Sequence, residues 1–189
     1  MDPNYDPDAA PSLHQALMER DFARAREFLS SGESLDDIIE DDGYTFLHVA
    51  AAEGDMEMVQ FFLNHGCPKS LENFNEINQT PLIAAASNGQ LTVIKLLLAN
   101  GAKVNANDEE RIGNTAIREA VYGGHASVVE ELLNQGADPT IPGWMAMSAV
   151  DQAFYTIEGG MNSTVAQTIQ SLLMQFPSNI KDRYLNENA

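Results

Sequence analysis

One cysteine, Cys67, occurs in the whole chain, so no internal disulfide can staple the fold. Stability therefore rests on buried apolar surface, and Cys67 reads as a small buried filler in a reducing compartment. Cations are scarce as well: ten Lys and Arg face 28 Asp and Glu, for a formal net charge of -18. Nucleic acid and anionic membrane both ask for cations to neutralise phosphate, so neither is an expected partner. No apolar run approaches the roughly 20 residues of a membrane span, and the N-terminus has no basic stretch followed by an apolar one. The expectation is a soluble, cytoplasmic chain.

Patterns that carry catalysis are missing too. His14, His48, His65 and His125 are scattered, with no HExxH or CxxC spacing, so no metal site is expected. No serine stands in a strand-to-helix elbow and no glycine-rich loop follows a strand; Gly123-Gly124 and Gly159-Gly160 read as turns. Catalytic residues and cofactors are expected to be absent.

What is present is periodicity. Thr45, Thr80 and Thr115 lie 35 residues apart, and the same step relates Gly54, Gly89 and Gly124, and again Gly66, Gly101 and Gly136. A period in the thirties marks stacked supersecondary units, none able to bury its apolar face alone. Each unit opens on a Thr that can cap a helix, with Pro81 at a first helical position, and reaches glycine nine residues later. A second helix follows, with apolar residues at helical spacing, as in Val59 to Leu63, Ile94 to Leu98 and Val129 to Leu133.

These segments resemble ankyrin repeats, whose pattern includes Thr-Pro-Leu-His-x-Ala-Ala, a mid-repeat Gly, Val-x-x-Leu-Leu and a closing Gly-Ala. Thr45-Phe46-Leu47-His48-Val49-Ala50-Ala51 and Thr80-Pro81-Leu82-Ile83-Ala84-Ala85-Ala86 carry it, as do Gly101-Ala102 and Gly136-Ala137-Asp138. The resemblance implies an all-α repeat solenoid: stacked helix-turn-helix units joined by β-hairpin-like fingers. It also implies that His14 and His48 bridge neighbouring units, a relay weakened or traded for packing where Ile83 and Arg118 take the same slot. The expected organisation is a flexible acidic lead at 1–10, one domain over 11–176 and a tail at 177–189. Within the domain lie a cap at 11–40, repeats at 41–73, 74–108 and 109–141, and a C-terminal cap at 142–176. Arg20 occupies the turn-glycine slot of the first cap, and the Thr156 to Thr164 insertion predicts an extended loop in the last.

Residues between the units point to the function. From Thr to mid-repeat Gly is always nine residues and from there to the closing Gly always 12, but closing Gly to next Thr runs 13, 14, 14 and 12. The variable part is the finger. Glu33, Asp36, Asp37, Glu40, Asp41 and Asp42 flank the first finger; Phe74, Glu76 and Ile77 belong to the second, and Glu109, Glu110 and Ile112 to the third. Phe74, Ile77 and Ile112 either fold back onto neighbouring fingers or contact a partner; Tyr44 and Trp144 fall at corresponding places, so Tyr44, Phe74, Ile112 and Trp144 form a candidate row of apolar anchors in an acidic surround. By resemblance, Glu53, Asn88, Glu119 and Tyr122 face a concave groove.

The expected function is a non-enzymatic adaptor or inhibitor, monomeric alone, that binds another protein with a basic surface through groove and finger tips. An immunity protein or antitoxin that occludes a toxin enzyme fits the same residues. So does a regulatory subunit of an enzyme. Catalysis would have to sit in the irregular last unit, where Glu158 is the only acid within the insertion.

Overall fold

The computed structural model describes residues 12–35, 45–66, 71–107, 113–158 and 163–175, and among them ten α-helices and no strand. The helices come in pairs: α1 (Leu13–Met18) with α2 (Phe22–Ser30), α3 (Phe46–Glu53) with α4 (Met56–Asn64), and α5 (Pro81–Ser87) with α6 (Leu91–Ala99). Then follow α7 (Ala116–Tyr122) with α8 (Ala126–Asn134) and α9 (Ala149–Glu158) with α10 (Ser163–Met174). The lead at 1–10, Cys67 and the tail at 177–189 lie outside the described residues.

Each first helix starts for one chemical reason. Ser12, Thr45, Thr80, Thr115 and Ser148 accept a hydrogen bond from the backbone amide three residues on, at 3.2 to 3.4 Å. That amide has no partner inside the helix, so the hydroxyl satisfies it. The turn to the second helix needs a left-handed residue, and Gly54, Gly89 and Gly124 supply φ of 80°, 72° and 74°. Arg20 takes that conformation at φ 57° in the first cap. Its guanidinium bonds Asp55 and, at 3.0 Å, Glu57, which ties the strained turn to the start of α4.

Second helices carry the large core residues. Val59, Phe62, Ile94, Leu97, Val128 and Leu132 are fully buried, each stabilising the fold by about 1.5 to 3 kcal/mol relative to exposure. First helices present Ala51, Ala85, Ala86 and Ala120 to their neighbours. These small residues let the first helices pack more closely on one another than the second helices do, so the stack curves toward the first-helix side. That side is the concave face.

The last pair departs from the sequence expectation. The sequence predicts an extended loop over Thr156 to Thr164; instead α9 continues to Glu158 and α10 begins at Ser163, while 159–162 lie outside the described residues. Neither helix contains Gly or Pro, so nothing interrupts the hydrogen-bond ladder and the extra residues lengthen both helices.

Candidate functional site

Along α3, Leu47, His48, Ala50 and Ala51 are buried while Val49 and Glu53 remain exposed, four residues apart on one stripe. Asn88, just after α5, is exposed and donates to the Ala84 carbonyl at 2.9 Å. Every residue of α7 is buried except Tyr122, which is 64% exposed. The concave face thus carries Val49, Glu53, Asn88 and Tyr122 on successive units, all four at positions the repeat register assigns to that side.

The second finger is built on a buried asparagine. Asn75 Oδ1 accepts from the amides of Ile77 at 3.1 Å and Gln79 at 2.9 Å, and Asn75 N donates to Gln79 O at 3.1 Å. This turn leaves Glu76 and Ile77 exposed, Ile77 by 60%. Phe74 is different: of the two expectations, an anchor at the finger tip or a fold-back, it follows the second, half-buried and packed against the core. The chain reverses immediately after it, and burial of an aromatic ring is worth more than its exposure. Trp144 lies in a 3₁₀ turn of the last finger. Asp41, Asp42, Tyr44, Glu109, Glu110 and Ile112 fall outside the described residues, as does most of the acidic cluster of the first finger.

The finger is latched to the helices by His48. Its Nε2 donates to the carbonyls of Asn73 at 3.0 Å and Gln79 at 2.9 Å, while Nδ1 accepts from the Thr45 amide at 3.2 Å. That set of partners defines the neutral tautomer with the proton on Nε2. Burial pushes the His48 pKa below its ordinary 6.5, against the smaller upward pull of the two carbonyls. One unit on, Ile83 fills the slot with a fully buried aliphatic chain, exchanging the latch for packing.

In the third unit the slot holds Arg118, and its chemistry changes the surface. Only 5% exposed, Arg118 donates from Nη2 to Gln152 Oε1 on α9 at 3.4 Å and has Nη1 3.5 Å from Glu119 Oε1. Its Nε has no hydrogen-bond partner among the described residues. Burial pulls its pKa down, partly offset by the negative Glu119. Glu119 Oε1 also accepts from Asn114 Nδ2 at 2.5 Å. Above this cluster the last finger closes with Gly143, where an added Cβ would stand 2.6 Å from Asn114 Oδ1 and 3.3 Å from Arg118 Cδ.

The same finger holds Met145 and Ala146 at φ 60° and 58°, two successive non-glycine residues in the left-handed region. Such conformations cost about 1 to 2 kcal/mol each and collect at binding sites. They leave Met145 67% exposed at the rim of a cavity of about 460 Å³. Arg118, Glu119 and Gln152 form its polar side; Tyr122, Met145 and Met147 form its apolar side. Sequence reasoning named Glu119 and Tyr122 here and missed Asn114, Met145, Met147 and Gln152. The available signal was Arg118 in the slot that His48 and Ile83 fill in the two preceding units.

No group of three His, Cys, Asp or Glu side chains that could hold a metal occurs among the described residues. None of the described helices is long and apolar enough to cross a membrane. The arrangement is suited to holding a side chain of another molecule.

Comparison with known proteins agrees with the repeat geometry. A family model described as ankyrin repeats matches residues 13–108 and 73–143, with three copies. A fowlpox virus (strain NVSL) protein described as an ankyrin repeat protein is 33% identical over 72 residues, covering 38% of this chain and 17% of the relative. The shared stretch is thus a small part of that relative's length.

Proposed function

This chain belongs to the ankyrin-repeat family, whose repeats mediate protein–protein interaction, and from that premise we propose that it is a non-enzymatic adaptor or inhibitor of a basic protein. It binds through the concave groove and the finger tips, acts as a monomer before capture, and works in the cytoplasm. The observation that carries this reading is Tyr122, a large aromatic 64% exposed at the end of a helix otherwise buried. Aromatic side chains in that position are the usual anchors of an interface. Val49, Glu53 and Asn88 extend the surface along the same face. The net charge of -18 supports a basic partner, since opposite charge speeds encounter and lone Cys67 suits a reducing compartment.

A photo-crosslinking residue placed at Val49 or Tyr122 tests the groove, with Gln60 on the second-helix side as control. Both concave positions are expected to trap the same protein and Gln60 none; trapping from Gln60 alone would remove the groove from the account. The charge component has its own assay. Reversing Asp41, Asp42, Glu53 and Glu76 to Lys should weaken the trapped partner's affinity about tenfold or more, mostly through slower association. Unchanged affinity would leave the partner's basic character without support.

A further inference from the structure

We propose that the cavity between α7 and the last finger is a receptor for one basic side chain, arginine or lysine, of a protein partner, held by Glu119 Oε2. The proposal rests on the reading of the concave face as the binding face. Glu119 is nine-tenths buried, and its Oε1 is already engaged by Asn114 at 2.5 Å. Oε2 makes no hydrogen bond among the described residues, yet it is not sealed in as Arg118 Nε is. A carboxylate taken this far out of water calls for more donors than one amide.

Arg118 does not supply them. Its Nη1 stands 3.5 Å from Oε1, whereas a charge-assisted hydrogen bond spans about 2.8 Å, and its Nη2 turns to Gln152. Arg118 meets the carboxylate on the Oε1 side, so a second cation at Oε2 would share the carboxylate from the other side.

Three kinds of occupant can be weighed. An anion would set a second carboxylate beside Glu119, inside a chain that already carries -18. A purely apolar side chain would seal Oε2 away from water without a donor, leaving a charged acceptor buried and unsatisfied. A basic side chain meets both demands. Its alkyl stem lies against the Met145 and Met147 thioethers, its head group reaches Oε2, and Tyr122 offers a ring face for the cation. The volume of about 460 Å³ admits a long side chain. The strained pair Met145 and Ala146 is then the device that holds a thioether at the mouth.

The test uses the full chain labelled at its methionine methyls, with Met145 and Met147 as local reporters. It is titrated with short acetylated, amidated glycine peptides that carry one central arginine, lysine, norleucine or glutamate. Arginine and lysine peptides are expected to shift both methyl signals to saturation, and norleucine and glutamate peptides to leave them in place. In Glu119→Gln the arginine peptide's dissociation constant should rise about tenfold. Tyr122→Ala, at an exposed position that folding does not need, should weaken arginine more than lysine. The proposal is overturned if norleucine or glutamate binds as well as arginine, if no peptide moves the two methyls, or if a natively folded Glu119→Gln protein binds unchanged. Crosslinking from Val49 and Tyr122 is scored separately: crosslinks with a silent pocket discard the pocket alone, and absent crosslinks discard the groove itself.

Discussion

His48 shows how a single side chain couples the repeat to solution conditions. Its Nδ1 accepts from the Thr45 amide, so protonation there would turn an acceptor into a donor facing a donor. Burial holds the folded pKa below the ordinary 6.5, so in the window beneath 6.5 the unfolded chain binds more protons than the folded one. The contribution is therefore complete above 6.5 and is lost as pH falls below it. The urea midpoint should drop over that window, and His48→Gln, itself costing about 1 to 3 kcal/mol, should flatten the drop. An equally steep fall in the variant would assign the effect to other groups. Asp55 acts in a lower window, because the hydrogen bond from Arg20 holds its carboxyl below the ordinary 3.8.

Between helices, the glycines that share one conformation do different jobs. Gly89 turns α5 into α6 at φ 72°, and a Cβ there would stand 2.7 Å from His125 Nδ1. The His125 ring is held in place by its Nε2, 3.0 Å from the Ser87 carbonyl of the preceding unit. Gly101 closes α6 at φ 95° with nothing within 4 Å of an added Cβ. Gly101→Ala should thus cost about 1 to 2 kcal/mol, from the left-handed backbone alone. Gly89→Ala should cost about 1 to 3 kcal/mol more, since it also displaces the ring that links two repeats. Equal losses in urea unfolding would show that the link contributes nothing. The lengthened α9 and α10 carry the same lesson, because a count of inserted residues does not say whether they extend a loop or a helix.

At the scale of the molecule, charge opposes compactness. A net -18 spread over a repeat stack repels itself, and neutral salt screens that repulsion as the Debye length shrinks from about 30 Å at 0.01 M to about 8 Å at 0.15 M. The thermal midpoint should rise by about 2 to 4 °C for each kcal/mol relieved over that salt range. A midpoint that falls would mean that attractive pairs, such as Arg20 with Asp55 and Lys95 with Glu131, outweigh the repulsion.

The repeat was legible in the sequence because its causes are local. A hydroxyl three residues ahead of an amide, a glycine at positive φ and apolar residues at helical spacing act within one turn of chain, so Thr45, Gly54 and Val59 declare their roles wherever they stand. Exposure of Val49, Glu53, Asn88 and Tyr122 followed from the same register. Among contacts between units, the His48 bridge was legible through the resemblance, but the others depend on what packs against what. Phe74 turned inward because Asn75 reverses the chain behind it. Met145, Met147 and Gln152 meet Arg118 only after the last finger folds over α7. By itself the sequence determined the fold, the period and the acidic character of this protein. Only the tertiary structure decided that a buried arginine, a half-satisfied carboxylate and two thioethers share one cavity, because long-range packing brings together groups that no spacing in the chain records.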